Sequence, residues 1–218
     1  MHNIKVLQET ADWVAVIKPH GLHVLPDRYD ETIPTLQRVL EKEFGRLYVV
    51  HRLDSGTGGV MIFAKTKSFH SYMNTLMEEG RTEKRYLAIV KGAMPEAVTV
   101  MLPISKRNQK GRYKINFKSG RRAVTSFYPK VVSERASLVE AQLHTGRTHQ
   151  IRVHLRAHGH PLEQDFLYNE RIDDRRLTLF AKSLDFIDER GTPVHLEAEL
   201  SDFMRDRLRY YELLEKDP

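Results

Sequence analysis

The sequence predicts an α+β fold built on a mixed, largely antiparallel sheet, and three observations lead there. Apolar runs of strand length alternate irregularly with amphipathic helical stretches, unlike the regular βαβ repeat of a parallel sheet. The middle of the chain is strand-rich, with runs over residues 98–102, 122–132 and 137–143. With 40% hydrophobic residues in 218, the chain can bury one core, and no apolar run approaches bilayer length.

Residues 13–17, Trp-Val-Ala-Val-Ile, read as a buried strand stopped by the turn Lys18-Pro19-His20-Gly21. Pro34 suits the first turn of a helix whose apolar face is Leu36, Val39, Leu40 and Phe44, with Gly45 as its C-terminal cap. Residues 47–50 and 60–64 are strands on either side of a glycine-rich bend. Ser68 is placed to cap a second helix carrying Phe69, Tyr72, Met73 and Leu76 and ending at Gly80. Residues 85–91 form a strand terminated by Gly92. Residues 148–158 form a helix, because Gly159 and Pro161 are a stop signal. A strand over 177–186 comes next, and Ser201 caps a last helix bearing Phe203, Leu208, Tyr211 and Leu214. No repeat, low-complexity tract or linker divides residues 1–218, which read as a single domain.

The formal net charge is +6. Its placement says more than its size. Residues 97–133 contain no acidic side chain but hold Lys106, Arg107, Lys110, Arg112, Lys114, Lys118, Arg121, Arg122 and Lys130. Such a stretch is either a solvated basic hairpin or a surface that tracks phosphates. The absence of cysteine excludes a disulfide framework, a thiolate zinc site and a cysteine nucleophile. It fits a reducing compartment, and the start Met1-His2-Asn3-Ile4-Lys5 is neither a secretory signal nor a transit peptide, so a soluble, cytoplasmic protein is expected. No G-x-G-x-x-G follows the first strand and no Walker loop occurs, so nothing points to a nucleotide cofactor.

Three motifs carry chemistry. In His51-Arg52-Leu53-Asp54-Ser55-Gly56-Thr57-Gly58-Gly59 an aspartate sits on a bend with little bulk around it, where a large flat substrate can approach a carboxylate. The plainer reading is a turn-forming Asp with Arg52 as a surface ion partner. In Gly146-Arg147-Thr148-His149-Gln150-Ile151-Arg152-Val153-His154-Leu155-Arg156, helical spacing puts His149, Arg152 and Arg156 on one face. That face is either merely solvated or directed at an anion near a helix start. His154, His158 and His160 could in principle hold a metal, but hydrogen-bonded or exposed histidines are the simpler reading. In Lys84-Arg85-Tyr86-Leu87-Ala88-Ile89-Val90-Lys91-Gly92, Tyr86 is a packing residue or a platform for a nucleobase.

In that order and at those separations, the three motifs resemble the RluA-like family of RNA pseudouridine synthases. Lys18-Pro19-His20-Gly21-Leu22 is similar to that family's N-terminal turn, and His160-Pro161 with Asp165 to the segment after its third motif. The resemblance spans residues 4–186. It implies the pseudouridine synthase fold, a central sheet flanked by helices and loops with an active-site cleft across it. It further implies an isomerase that flips specific uridines of ribosomal or transfer RNA out of their stack.

Residue by residue, the resemblance makes Asp54 the essential catalytic carboxylate, Tyr86 the ring that packs on the target base and Arg152 the cation paired with Asp54. Arg52 fills the gap left by the flipped uridine. His51, Arg147 and His149 from the motifs, with Lys106, Arg107, Arg121 and Arg122 from the basic segment, are the other expected RNA contacts. Isomerisation needs no redox cofactor, nucleotide or metal, and a monomer is the simplest assembly. The chain departs from the family at Gly58, where serine is usual, and at Gln164, where a small residue is usual. Lys18-Pro19 lies so near Met1 that no S4-type RNA-binding module is expected before it, leaving the grip on RNA to residues 105–130. An RNA chaperone or assembly factor retaining the fold, and a base-releasing glycosidase, are the rival readings.

Overall fold

In the computed structural model, residues 4–26, 32–105, 111–169 and 174–214 are described. The chain runs β1 Lys5–Glu9, β2 Trp13–Lys18, α1 Leu36–Phe44, β3 Tyr48–Val49, β4 Gly58–Ala64, α2 Lys67–Glu78 and β5 Glu83–Lys91. It continues β6 Val98–Val100, β7 Thr125–Val132, β8 Ala136–Leu143, α3 Gln150–Ala157, β9 Leu179–Ile187, β10 Pro193–Glu197 and α4 Asp202–Tyr210. The fold is α+β with a largely antiparallel sheet, as the order of elements predicts. The chain divides into two compact units, Met1–Glu83 with Ala181–Glu199 and Lys84–Phe180 with Leu200–Pro218.

In the first unit β4 is the organising strand. All seven of its residues are buried, and it pairs antiparallel with β2 from Trp13↔Ala64 to Lys18↔Gly59 and with β3 at Tyr48↔Ala64 and Val49↔Phe63. β2 also pairs antiparallel with β1 through a register shift between Val6 and Gln8, and β10 pairs antiparallel with β9. α2 presses Phe69, Met73 and Leu76 inward. Phe69 stacks on Trp13 at 6.0 Å, and Phe186 meets both rings edge-on. Rings so arranged contribute beyond the area they bury.

The second unit holds β5, β8, β7 and β6, each antiparallel to the next. Ala88, Ile89, Val90, Phe127, Val139 and Ala141 fill its core, and α3 adds Ile151, Val153 and Leu155. A smaller cluster joins Ile104, Ala123, Val153 and Tyr168, with Tyr113 and Ile115 packed against it. α4 is fastened by Glu163, which accepts from the Arg207 guanidinium and from Tyr211 Oη.

Several boundaries differ from expectation for local reasons. Thr66, not Ser68, caps α2, its side chain accepting from the Phe69 N–H. Pro34 stands one residue before the true cap, Thr35. β7 begins at Thr125 rather than near 122, because the Val124 N–H is taken by the Thr145 hydroxyl. α3 begins at Gln150, since His149 adopts left-handed angles (φ 56°, ψ 20°) that end helical continuity. β1 and β10 have no counterpart among the expected elements. Among the described residues, no helix is long and apolar enough to cross a membrane.

Candidate functional site

The bend that carries Asp54 belongs to the first unit and is locked by one lysine. β2 ends on Lys18, whose side chain is 1% exposed. Its Nζ donates to the carbonyls of Pro19 at 2.9 Å, Ser55 at 2.9 Å and Thr57 at 2.7 Å. An ammonium has three N–H donors, and all three are used. The Thr57 N–H closes the bend onto the Asp54 carbonyl at 3.0 Å, and the Gly21 N–H reaches the Ser55 carbonyl at 2.8 Å. Two turns far apart in sequence thus form one carbonyl cradle around a buried cation. Burial pushes the Lys18 pKa from 10.5 down to about 7, and the nearby charge of Asp54 opposes the fall. A neutral amine would turn a lone pair toward one of three carbonyls, so the geometry suits the charged form.

In the sequence this lysine is visible only as part of a turn. Its burial makes a testable signature. The folded protein gives up the Lys18 proton near pH 7 and the unfolded chain near its ordinary 10.5, so between those values the unfolded chain holds more protons. Stability therefore rises with pH across that window, by at most about 1.4 kcal/mol per pH unit from this group. Urea denaturation between those limits should show the rise in the wild type, and Lys18→Met should lose it. Equal slopes in the two proteins would refute the assignment.

Gly58 and Gly59 of the bend are each required for space. His20 Nδ1 lies 2.7 Å from the Gly56 carbonyl, and since a carbonyl only accepts, that nitrogen carries the hydrogen. The ring then covers Gly58, where a Cβ would fall 2.7 Å from Cδ2 and Nε2. The glycine that departs from the resembled family is thus the residue that admits His20. At Gly59, φ is 117° and a Cβ would lie 2.2 Å from the Ala181 carbonyl oxygen, so no other residue fits.

Of the neighbouring motif residues, Leu53 is buried, Asp54 is half-buried and Arg52 is exposed. His51 is half-buried, and its Nε2 accepts from the Ile62 N–H at 3.3 Å, bracing β4 behind the bend.

In the second unit, Tyr86 lies on β5 opposite Ala141 of β8 and is 8% exposed. Lys84 precedes it by two and shares its strand face. Burial pushes the Lys84 ammonium below its ordinary 10.5, a shift that no local pattern around it signals. Arg152, on α3, is 2% exposed and donates Nε to Asp165 Oδ2 and Nη2 to Asp165 Oδ1, both at 2.7 Å. Asp165 Oδ1 also accepts from the Leu167 and Tyr168 N–H groups, so one carboxylate fixes both the guanidinium and the turn after it. The Arg152 guanidinium lies 4.9 Å from the Tyr168 ring.

The expected common face of His149, Arg152 and Arg156 is not formed. Arg156 is exposed, Arg152 is interior, and His149 precedes the helix. His149 Nδ1 instead meets Tyr168 Oη at 2.9 Å, and Tyr168 Oη accepts from the Tyr113 N–H. Gln164 sits where the resemblance implies a small residue, yet its N–H donates to Thr178 Oγ1 and its carbonyl accepts from the Thr178 N–H.

Gln150 is the hub that sequence reasoning missed. Its Oε1 accepts from Thr145 Oγ1 and from the Arg147 N–H, while Nε2 donates to the Val124 carbonyl and to Thr125 Oγ1. Thr125 in turn meets His154 Nδ1 at 2.9 Å, and His154 Nε2 donates to the Leu102 carbonyl. Burial lowers the His154 pKa against the opposing pull of that carbonyl, so this histidine is neutral and both its ring nitrogens are engaged. It is not presented to a metal. Among the described residues, no three histidine, aspartate or glutamate side chains gather as a metal site.

Arg121 and Arg122 are exposed, and Arg147 Nε donates to the Arg122 carbonyl at 3.1 Å. Burial, then the like charge of Arg121, pushes the Arg147 pKa down, as expected of a cation held beside another. Lys106 and Arg107 lie outside the described residues.

The model of a family described as RNA pseudouridylate synthase matches residues 12–157. The chain is 38% identical over 143 residues to an uncharacterized RNA pseudouridine synthase, YjbO, of Bacillus subtilis, covering 65% of this chain and 50% of that protein. It is 31% identical over 203 residues to the dual-specificity RNA pseudouridine synthase RluA of Yersinia pestis, covering 89% of this chain and 98% of that protein. It spans about half the length of several curated relatives it matches. Among solved structures, the human RNA pseudouridylate synthase domain containing 4 superposes with a TM-score of 0.77 over 95% of this chain and 93% of that one. At 24% identity the likeness is one of fold.

Proposed function

Because the chain belongs to the RNA pseudouridylate synthase family, we propose that it isomerises specific uridines to pseudouridine in ribosomal or transfer RNA. Asp54 acts on the ribose of a flipped-out nucleotide. The observation that carries this reading is the Asp54 bend, its backbone held by Lys18 and its tight path allowed by Gly58 and Gly59, where a Cβ would collide with His20 and Ala181. The reaction breaks the C1′–N1 bond, turns the uracil and joins C1′ to C5. N1 gains a hydrogen and C5 loses one, so atoms and electrons balance without a redox cofactor, nucleotide or metal.

A carboxylate is the group this chemistry needs. It can stabilise or trap the electron-poor sugar as the glycosidic bond opens, much as in glycosidases. A hydrolase requires a second carboxylate to activate water, whereas an isomerase profits from excluding water. Extrusion of the base costs a few kcal/mol, offset by stacking and phosphate contacts. Arg52, exposed two residues before Asp54, supplies a wedge for the vacated stack, and the buried face of Tyr86 a surface for the ring.

RNA labelled with tritium at uracil C5 tests the reaction directly. A synthase releases tritium to water and keeps the base on the RNA, a glycosidase releases free uracil, and a chaperone does neither. Pseudouridine mapping in cells with and without the protein then identifies the target. For the grip on RNA, Arg121→Glu, Arg122→Glu and Arg147→Glu are each expected to weaken binding. Each should also flatten the dependence of log K on log salt by about 0.7 for every phosphate that the variant no longer neutralises. Titrations at several salt concentrations measure the slope, and unchanged binding at low salt would reject these arginines as phosphate ligands.

A further inference from the structure

The acid-free segment contains a turn, residues 116–120, that charge alone does not explain. Phe117 stands 78% exposed at its tip. The residues before it at alternate positions, Tyr113 and Ile115, pack against Ile104 and its neighbours, so the segment has an apolar surface within reach and Phe117 does not use it.

The turn is not loose. Asn116 Oδ1 accepts from the N–H groups of Lys118 and Ser119, its Nδ2 donates to Ser119 Oγ, and its carbonyl accepts from the Gly120 N–H. Both limbs are pinned to one short stretch. The Asn116 N–H reaches the Pro103 carbonyl, the Ser105 N–H reaches the Lys114 carbonyl, and Ile104 and Arg121 exchange both backbone bonds. Gly120 has no room for a side chain, since a Cβ would lie 2.3 Å from the Asn116 carbonyl oxygen. The ring is therefore held outward on a preformed base. Lys114, Lys118, Arg121 and Arg122 surround it in sequence, all exposed.

We propose that Phe117 is a stacking platform for an unpaired base of the bound RNA, with the flanking cations holding the phosphates on either side. The inference rests on the reading above that RNA is the substrate, and adds a base-contacting site apart from the reacting uridine. An isolated exposed apolar residue needs no explanation on most surfaces. Here a flat ring, a rigid turn and four exposed cations with no acid among them coincide, which is the combination that single-stranded nucleic acid engages. A protein partner would have to meet those cations with acidic groups and would gain little from a single ring.

The test compares wild type with Phe117→Ala, Phe117→Leu and Phe117→Tyr for binding to an oligouridine of about 12 nucleotides, within the span of one binding module, and to an RNA duplex of equal length. Loss of one stacked base predicts roughly 5- to 100-fold weaker binding of the oligouridine by the Ala and Leu variants. The Tyr variant should bind like wild type, and none should change on the duplex, whose bases are already stacked. A Phe117→Trp variant gives a second readout. The one native tryptophan, Trp13, is buried at 4% exposure, so quenching on RNA addition would report the new indole. Wild-type affinity in the Ala variant, rescue by Leu, an equal loss on the duplex, an unquenched indole, or no oligouridine binding by wild type at low salt would each overturn the proposal. None of these readouts needs turnover, so an absence of tritium release would count against the catalytic reading alone.

Discussion

Asp54→Asn is expected to lower pseudouridine formation by at least about 10⁴-fold, the scale on which removal of a reacting group acts, while RNA affinity stays within about threefold. The side chain keeps its size, and the carbonyls of the bend are held by backbone and Lys18 bonds. What disappears is the anion able to meet the cationic sugar. The substitution has a second, independent consequence. The charge of Asp54 holds the Lys18 pKa up against burial, so the variant should drop it further and extend the lower edge of its stability window to lower pH. Single-turnover tritium release and a binding titration on the same RNA separate the outcomes. Substantial turnover in the Asn variant would sink the carboxylate mechanism.

Asp165→Ala is expected to destabilise the protein by about 3–5 kcal/mol, the cost of leaving one buried charge without its partner. Arg152 and Asp165 are 2% and 1% exposed and are joined by two parallel bonds of 2.7 Å. Removing the carboxylate also strips acceptors from the Leu167 and Tyr168 N–H groups. Arg152→Ala should cost a similar amount, leaving Asp165 as the stranded charge, and should lose activity as well. The double variant Arg152→Ala/Asp165→Ala should cost clearly less than the two single losses added, because no charge is left behind. Urea denaturation of the four proteins completes the cycle. Additive losses would mean that the two side chains are not coupled.

The order of strands and helices was readable because each core element carries a clean period. β4 is a continuous apolar run, and α2 places Phe69, Met73 and Leu76 on one face. β1 escaped notice because it shows no inward face, all its residues except Leu7 being exposed. β10 escaped although a signal existed: Asp188 Oδ1 accepts from the Arg190 and Thr192 N–H groups before a strand that buries Leu196. Motif chemistry singled out Asp54, Tyr86 and Arg152 as candidates, but spacing misjudged the third motif, because a left-handed residue at 149 breaks the helical count. Lys18 and Gln150 were out of reach for a different reason. Their roles are set by backbone groups up to 39 residues away, which no local pattern announces.

The bonds running from Gln150 through Thr125 and His154 to the Leu102 carbonyl have a direction. The amide gives a hydrogen to the hydroxyl, the hydroxyl to the imidazole, and the imidazole to the main chain. No member can turn around without forcing the others to follow. Thr125→Val would strand a donor at one end and a lone pair at the other. Positions 125, 150 and 154 should therefore drift together through descent or stay fixed, a correlation that an alignment of relatives would reveal without any measurement on the protein.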